Sequence, residues 1–330
     1  MDVSVIVPCL NEAARIEGCL QSLIGQDYSA GAYEMIVADG GSTDGSRERV
    51  KVFEKLHPNV HLVTAEKPDT ASVRNAGIQV SRYAHIALID ADCQAPREWL
   101  GTLVSHYQAA KARDGWIAGV GGSNIPPPEE TNRFVLAIGV ALDSYLGSFT
   151  SIQGRRYPRP MPVSSLSTVN VLYHKKALLE IACFDESLGC EAEDADINFR
   201  LTRAGYKLLF IPQAYVWHHM RPTPKTWLKN MFRYGKGRAR LLKRYPRMWG
   251  LCYVLPLLFL GAMLSILLIP FGKIFFLSLG YFPALLGYAM WQSIRKRSIF
   301  LVFHVFVVYL IQHFGYAAGE MYGLMNPRVK

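Results

Sequence analysis

Residues 34–46 read EMIVADGGSTDGS, and this stretch indicates the fold class. The apolar run Met35–Ala38 predicts a buried strand, and the glycines and aspartate that follow predict a tight turn. Residues 42–44, Ser-Thr-Asp, are types that cap helix N-termini, so we expect a helix to begin there. A strand that passes through a polar turn into a helix is the repeating unit of α/β proteins.

The same alternation continues on both sides of this stretch. VSVIVP (3–8) precedes a helical pattern at 12–26, VHLVTAE (60–66) precedes another at 70–81, and AHIALIDADC (84–93) is a fourth strand. These elements predict a Rossmann-like α/β fold with a mostly parallel sheet covered on both faces. Ligands of such sheets bind at the carboxyl ends of the strands. Six polar residues fall at those ends: Asn11, Glu12, Asp39, Asp44, Asp90 and Asp92.

Asp90 and Asp92 follow the fourth strand two positions apart. Carboxylate oxygens are the ligands preferred by Mg²⁺ and Mn²⁺, and such ions bridge substrate phosphates. One interpretation is therefore a divalent cation site that a bound diphosphate completes. The alternative is a polar strand end that closes an Asx-type turn.

A second acidic group lies at AEDADINFR, residues 192–200. Glu191, Glu193, Asp194 and Asp196 would repel one another on an ordinary surface. They suit the N-terminus of a solvated helix, where the helix dipole favours negative charge. The alternative is a catalytic carboxylate that faces a bound substrate.

The charge is distributed unevenly along the 330 residues. The formal net charge is +10, yet the residues after Asp196 include 19 of the 36 Lys and Arg and a single acidic residue, Glu320. This asymmetry predicts a basic surface for anionic lipid or nucleic acid. The six cysteines show no metal-binding spacing, and we expect reduced thiols that mostly pack in the core.

Three uncharged runs at 248–272, 274–294 and 298–319 favour lipid over nucleic acid. Each is long enough to cross a bilayer as a helix. The basic segment 221–247 before them predicts amphipathic helices among the headgroups. Basic residues at 238–247 precede the first run and those at 295–297 separate the second from the third, whereas only Lys273 lies between the first two. The positive-inside rule therefore puts the front domain and residues 295–297 in the cytoplasm. The tail, 320–330, would then lie outside, and the chain would be a multi-pass protein of the cytoplasmic membrane.

Five motifs, in this order, resemble the family-2 inverting glycosyltransferases with the GT-A nucleotide-sugar-binding fold. They are VSVIVPCLNE, VADGGSTDGS, RNAG, DAD and EDADINFRLTRAGY, and the resemblance covers residues 1–220. The apolar runs are similar to the membrane-anchored branch of the family that builds exopolysaccharides and lipid-linked glycans. The resemblance implies a nucleotide-sugar donor, Mg²⁺ or Mn²⁺ as cofactor, and inversion at the anomeric carbon.

The resemblance also implies roles for individual residues. Asp194 would be the general base, Glu193 would orient the acceptor, and Asp92 would bind the metal, with a further metal or phosphate contact from His218 or His219. Glu191 and Asp196 would be structural or would cap the following helix. The donor would be held by Pro8, Asn11 and Glu12 around the nucleotide, Asp39 at uracil or ribose, Arg74 at base or diphosphate, and Asp90 at ribose and sugar.

Residues 121–165 resemble an acceptor-site insertion, with an apolar helix expected at 133–149. Arg155, Arg156 and Arg159 are either ligands of a lipid diphosphate or solvated loop cations. Arg233 and Lys236, in FRYGKGRA, either contact the donor diphosphate or touch lipid headgroups.

The Gln-x-x-Arg-Trp motif of processive synthases is absent from the segment that contains FRYGKGRA, which favours transfer of one sugar to a polyprenyl-diphosphate-linked saccharide. Alternatives are a processive polysaccharide synthase, a polyprenyl-phosphate sugar synthase, a sugar nucleotidyltransferase that releases pyrophosphate, and an inactive membrane scaffold.

Overall fold

A computed structural model describes residues 1–148, 151–220, 222–265 and 279–326. The chain divides into two compact units. The first consists of Met1–Pro127 and Ile152–His219, and the second of Pro128–Ser151 and Met220–Lys330. The chain therefore leaves the first unit at residue 128, returns to it at residue 152 and leaves it again at residue 220.

The first unit is built on an eight-stranded sheet and a three-stranded sheet. The strands are β1 Val3–Cys9, β2 Tyr33–Asp39, β3 Val60–Thr64, β4 His85–Ile89, β5 Cys93–Gln94, β6 Ile117–Gly121, β7 Asn124–Ile125, β8 Met161–Val163, β9 Asn170–His174, β10 Lys207–Phe210 and β11 Val216–His218. The order in the large sheet is β3-β2-β1-β4-β9-β6-β10-β8, and the small sheet has the order β5-β11-β7.

The helices of this unit are α1 Ile16–Ile24, α2 Ser46–Leu56, α3 Thr70–Val80, α4 Trp99–Arg113, α7 Lys175–Glu180 and α8 Glu193–Arg203. They cover two apolar clusters whose members alternate along the strands. Val5 and Val7 of β1 belong to one cluster, and Ile6 belongs to the other. This period of two arises because successive side chains of a strand point to opposite faces. The predicted α/β fold, with helices on both faces of the sheet, is confirmed.

The four predicted strands form the parallel part of the large sheet, β3-β2-β1-β4. The rest is mixed, because β9 pairs antiparallel with both β4 and β6. Residues 207–218 contain two strands that belong to different sheets, β10 and β11. Pro212 lies between them and has no N–H for a ladder. Helix α2 begins after Gly45 in the left-handed region, so residues 42–44 are not its N-cap.

The second unit is helical. Its helices are α5 Arg133–Leu142, α6 Tyr145–Ser148, α9 Pro224–Arg244, α10 Leu251–Ser265, α11 Tyr281–Arg295 and α12 Val302–Met325. Its core combines side chains from α5, α9, α11 and α12, including Ile138, Met231, Ala289 and Val305.

The segment at 128–148 is tied to the C-terminal helices by polar contacts as well. Asp143 pairs with Lys296, Ser144 shares a 2.8 Å hydrogen bond with the Tyr309 hydroxyl, and the Leu146 carbonyl lies 2.8 Å from His313 Nε2. The middle of the predicted acceptor-site insertion therefore packs with the C-terminal helices. The helix expected at 133–149 ends at Leu142, and a short second helix follows Asp143 and Ser144.

Among the described residues, one stretch, Ile299–Met325, is long and apolar enough to cross a membrane. The predicted interfacial segment is one amphipathic helix, α9, which Thr223 caps by accepting from the Thr226 N–H. Helices α10 and α11 are 15 residues each, and the junction of the first two predicted spans, 266–278, lies outside the described residues. The three predicted membrane helices are thus not confirmed.

Candidate active site

The site begins where β1 and β2 end side by side, with Cys9 paired to Asp39 in register. Asp39 is 1% exposed, and its Oδ1 accepts hydrogen bonds from the N–H groups of Gly41 and Ser42 and from Arg47 Nη1 at 3.0–3.1 Å. The second oxygen, Oδ2, is buried and has no hydrogen-bond partner among the described residues. A buried acceptor of this kind is costly unless a ligand donates to it.

Hydrogen bonds join the loop after β1 to the loop after β2. Asn11 has a left-handed backbone (φ 56°), and its Oδ1 accepts from the Thr43 N–H at 2.9 Å. The Glu12 N–H donates to Ser46 Oγ at 2.9 Å, and the Ala13 N–H donates to an Asp44 oxygen at 3.0 Å. Asn11 thereby shapes the rim of the predicted nucleotide pocket. Pro8 is half-buried in β1 beside this rim.

The RNAG motif lies in α3, and its arginine joins two parts of the site. Arg74 is 2% exposed; its Nη2 lies 3.0 Å from Asp90 Oδ1, and its Nη1 lies 2.9 Å from Glu193 Oε1. The guanidinium also stacks over the Phe184 ring at 5.5 Å. One buried cation therefore holds the carboxylate after β4 and the first residue of α8 together, although they are far apart in sequence.

The asparagine of the motif fixes the chain before α8. Asn75 Nδ2 donates to the Phe184 carbonyl at 2.9 Å and to Glu186 Oε1 at 3.2 Å, and its Oδ1 accepts from the Phe184 N–H at 3.0 Å. Lys67 holds the other oxygen of Glu186 at 3.0 Å. These bonds position the loop that leads into α8.

The glycine of the motif lets α3 approach β1. A Cβ at Gly77 would lie 2.5 Å from Ile6 Cγ2. We expect Gly77→Ala to destabilise the fold by about 1–3 kcal/mol, because the added methyl overpacks the core. Denaturant unfolding measures this. Gly31→Ala is the control, because its Cβ would meet nothing within 4 Å. Equal unfolding midpoints for the two variants would contradict the packing argument.

The acidic residues at 191–196 lie in different environments. Helix α8 begins after Ala192, whose backbone is left-handed (φ 62°), and its first turn contains Glu193, Asp194 and Asp196. Asp196 is fully buried and bonds Arg200 at 2.6–2.7 Å within the helix, which is a structural ion pair. Asp194 is partly exposed, and its Oδ1 accepts from the Ala195 N–H at 2.7 Å.

Glu193 and Asp194 differ in their relation to Arg74. Burial raises the pKa of Glu193, and the Arg74 guanidinium opposes that rise. Among the described residues, Asp194 accepts a hydrogen bond from the backbone N–H of Ala195. Arg74 forms its ion pairs with Glu193 and Asp90. Of the two neighbouring carboxylates, Glu193 is therefore the one that forms an ion pair with Arg74 among the described residues.

The small sheet brings His218 to the aspartates after β4. Strand β11 pairs with β5, and the His219 N–H donates to the Asp92 carbonyl at 3.1 Å. Asp92 Oδ1 then lies 3.4 Å from His218 Nε2. These two side chains and Cys93 present ligand atoms within 4.8 Å of one another. A carboxylate and an imidazole so close together fit a divalent cation, and of the two candidate histidines it is His218 that meets Asp92.

The remaining predicted residues lie elsewhere. The segment before β8 contains Arg155, Arg156 and Arg159. The Arg155 guanidinium lies 5.0 Å from the centre of the Tyr157 ring, and the other two arginines are exposed. Arg233 and Lys236 are on α9, in the second unit. The sequence interpretation missed Arg47, Phe184 and Asn75 as groups that organise the site. Of these, Asn75 could have been found, because it belongs to the RNAG motif.

Known proteins resemble this chain in sequence and in fold. The model of the family "Glycosyl transferase family 2" matches residues 4–179. The glycosyltransferase AglE of Haloferax volcanii is 31% identical over 72% of this chain and 73% of its own. A dolichyl N-acetyl-alpha-D-glucosaminyl phosphate 3-beta-D-2,3-diacetamido-2,3-dideoxy-beta-D-glucuronosyltransferase of Methanococcus voltae is 24% identical over 97% of this chain and 98% of its own.

Among solved structures, the mannosyltransferase PcManGT from Pyrobaculum calidifontis, in complex with GDP-Man and Mn²⁺, has the same fold. Its TM-score is 0.62 at 17% identity, and the match covers 94% of this chain and 86% of that one. The GT-A fold expected from the motifs is confirmed. The chain is a glycosyltransferase and belongs to glycosyl transferase family 2.

Proposed function

We propose that this chain is a metal-dependent, inverting glycosyltransferase that moves one sugar from a UDP-sugar to a polyprenyl-diphosphate-linked saccharide at the cytoplasmic membrane. The observation that carries the proposal is the buried Arg74 bridge between Asp90 and Glu193. It joins the carboxylates after β4, suited to the donor and its metal, to the carboxylates of α8, suited to the acceptor. A transferase needs both sets at one reacting centre.

The donor would bind across the carboxyl ends of β1, β2 and β4. The buried Oδ2 of Asp39 is an acceptor for an N–H of the base or a hydroxyl of the ribose. Asp90, held by Arg74, would face the ribose and sugar. The chain's own bonds between residues 11–13 and 42–46 keep the nucleotide end of the cleft in shape.

Asp92 and His218 would hold the metal ion. A bound Mg²⁺ or Mn²⁺ offsets negative charge on the diphosphate leaving group. The PcManGT structure contains Mn²⁺ and GDP-Man, which supports a metal-dependent donor site in this fold without identifying the ion or the nucleotide used here.

Asp194 would act as the general base. In an inverting transfer, the acceptor hydroxyl attacks the face of the anomeric carbon opposite the leaving diphosphate, and a carboxylate takes the hydroxyl proton. Glu193 is engaged by Arg74, so it is better suited to orient the acceptor. This assigns different roles to two adjacent carboxylates on the basis of their different contacts.

The acceptor would be lipid-linked. The name of the Methanococcus voltae relative describes transfer to a dolichyl-phosphate-linked sugar, and that relative matches nearly the whole of this chain. Arg155, Arg156 and Arg159 are candidates for holding the lipid phosphates. Arg233 and Lys236 on α9 are candidates for the donor diphosphate.

The test of function is to supply labelled nucleotide sugars to membranes that contain the chain. We expect release of nucleoside diphosphate together with label on a mild-acid-labile lipid saccharide. Release of pyrophosphate would indicate a nucleotidyltransferase instead, and label on bare polyprenyl phosphate would indicate a polyprenyl-phosphate sugar synthase. Label on soluble acceptors alone would reject a lipid-linked acceptor.

Asp92→Asn tests the metal assignment. We expect the Mn²⁺ concentration for half-maximal turnover to rise by about 10–100-fold, because a ligand oxygen loses its charge. A titration of turnover against Mn²⁺ measures this. Asp27→Asn is the control, because Asp27 is an exposed residue paired with Arg97. An unchanged Mn²⁺ requirement in Asp92→Asn would refute the site.

A further inference from the structure

Helices α9 and α12 pack backbone to backbone. A Cβ at Gly235 would lie far inside van der Waals contact distance of the Tyr316 carbonyl oxygen, and one at Gly319 would lie equally close to the Phe232 carbonyl oxygen. Gly315 and Gly323 make similar approaches to Met231 and Ala239. Such glycine contacts on both helices fix the two axes close together.

The two helices run in the same direction. Met231 of α9 lies next to Gly315 of α12. Two turns further along both helices, Ala239 lies next to Gly323. At the end of the pair, Lys243 Nζ donates to the carbonyls of Gly323 at 2.7 Å and Asn326 at 2.8 Å. The C-terminal end of α12 therefore lies at the C-terminal end of α9.

Helix α9 has eight cations among its 21 residues and no acidic residue. So many charges cannot enter the hydrocarbon core of a bilayer. Residues 315–325 of α12 and Asn326 after it lie along α9, so they are held outside that core with it. The preceding residues, 302–314, contain no Asp, Glu, Lys or Arg, and Phe303 among them is 70% exposed.

The start of α9 fixes its side of the membrane. Residues 220–223 are the only ones between the first unit and α9, and the five steps from His219 to Pro224 extend to about 18 Å at most. A bilayer core is about 30 Å thick. The chain therefore cannot cross the membrane between the first unit and α9.

We propose that α9 and residues 315–326 form a helix pair among the phosphate headgroups on the side that holds the first unit, so that the C-terminus ends on that side. This rests on the proposed membrane location of the chain. It differs from the orientation expected from three spans and the positive-inside rule, which puts the C-terminus outside. A pair bound to headgroups would also place the cations of α9 where anionic phosphates are concentrated.

The side of the C-terminus is measured with a peptide tag at that end and a second tag at the N-terminus, in sealed right-side-out and inside-out vesicles. We expect protease to remove both tags in the same vesicle preparation. Removal of the two tags in opposite preparations would overturn the proposal while leaving the transferase function intact. Release of the whole chain by alkaline carbonate would overturn the proposal together with the membrane location.

A disulfide cross-link tests the helix pair itself. A Cβ at position 315 would lie 3.0 Å from the Met231 Cβ, so a small outward shift of the two helices brings the pair to the roughly 3.5–4.5 Å Cβ separation of a disulfide. We expect Met231→Cys with Gly315→Cys to cross-link on mild oxidation in membranes. Met231→Cys with Phe303→Cys is the control, since Phe303 lies on the other half of α12 and should not cross-link. No cross-link at 231–315, or equal cross-linking in the two pairs, would overturn the pairing.

Discussion

Asp194→Asn should lower sugar transfer by roughly 10²- to 10⁴-fold, the usual contribution of a positioned general base. Asparagine keeps the size and the acceptor oxygen of the side chain but cannot take up a proton. Nucleotide-sugar affinity should stay within about twofold of the wild type, because the proposed donor contacts lie at Asp39, Asp90 and Asp92. Steady-state turnover and donor binding by calorimetry measure the two quantities separately.

Asp196→Asn is the matched control. It is a similar change two residues further along α8, at a carboxylate that bonds Arg200 inside the helix. Loss of the Asp196–Arg200 ion pair should lower the free energy of unfolding and leave catalysis by Asp194 intact. Near-normal turnover in Asp194→Asn, or equal losses of turnover in two folded variants, would remove Asp194 from the catalytic role.

Arg74→Met should destabilise the first unit by about 3–5 kcal/mol, because removing one partner from a buried ion pair leaves charge uncompensated. Here the loss affects two carboxylates, those of Asp90 and Glu193. Burial already raises the pKa of each, and Arg74 is the group that opposes both rises. Denaturant unfolding measures the free energy of unfolding.

Arg82→Met is the control for this prediction. Arg82 also pairs with a glutamate, Glu34, at 3.3 Å, but its side chain is 67% exposed, so its removal should cost less than about 1 kcal/mol. Adding Asp90→Asn and Glu193→Gln to Arg74→Met should restore part of the lost stability, because neutral side chains no longer need the cation. Equal losses for Arg74→Met and Arg82→Met would show that the bridge is not important for folding.

The parallel part of the sheet could be predicted because it is encoded locally. Each of β1–β4 is an apolar run followed by a polar turn, so both the strands and the polar residues at their ends follow from short stretches of sequence. The antiparallel β9 could not be predicted, because its place between β4 and β6 depends on partners far away in the chain.

The active site, like the sheet, could be predicted only where the sequence signal is local. Asp90 and Asp92 follow a strand, which is a local signal. The Arg74 bridge to Glu193 joins residues 119 positions apart, and no local pattern shows that a helical arginine is buried. The structure thus adds a structural contact for Arg74 to its predicted role at the donor, which remains a prediction.

The second unit is the part of the structure that differs most from the sequence-based prediction. Apolar runs predict burial without specifying whether lipid or protein covers them, and α5 has the same apolar character as the C-terminal helices on which it packs. The glycines at 315, 319 and 323 recur every four residues, a spacing that permits close helix contact but does not name the partner helix.

The most direct test of the central claim is the position of manganese in a crystal of the chain grown with Mn²⁺ and a nucleotide-sugar analogue that cannot react. Anomalous scattering at the manganese edge locates the ion without assumptions about the protein. We expect one peak coordinated by Asp92 and His218, beside the diphosphate, with the anomeric carbon facing Asp194. A peak away from Asp92, or a sugar on the side of the cleft remote from Asp194, would contradict it.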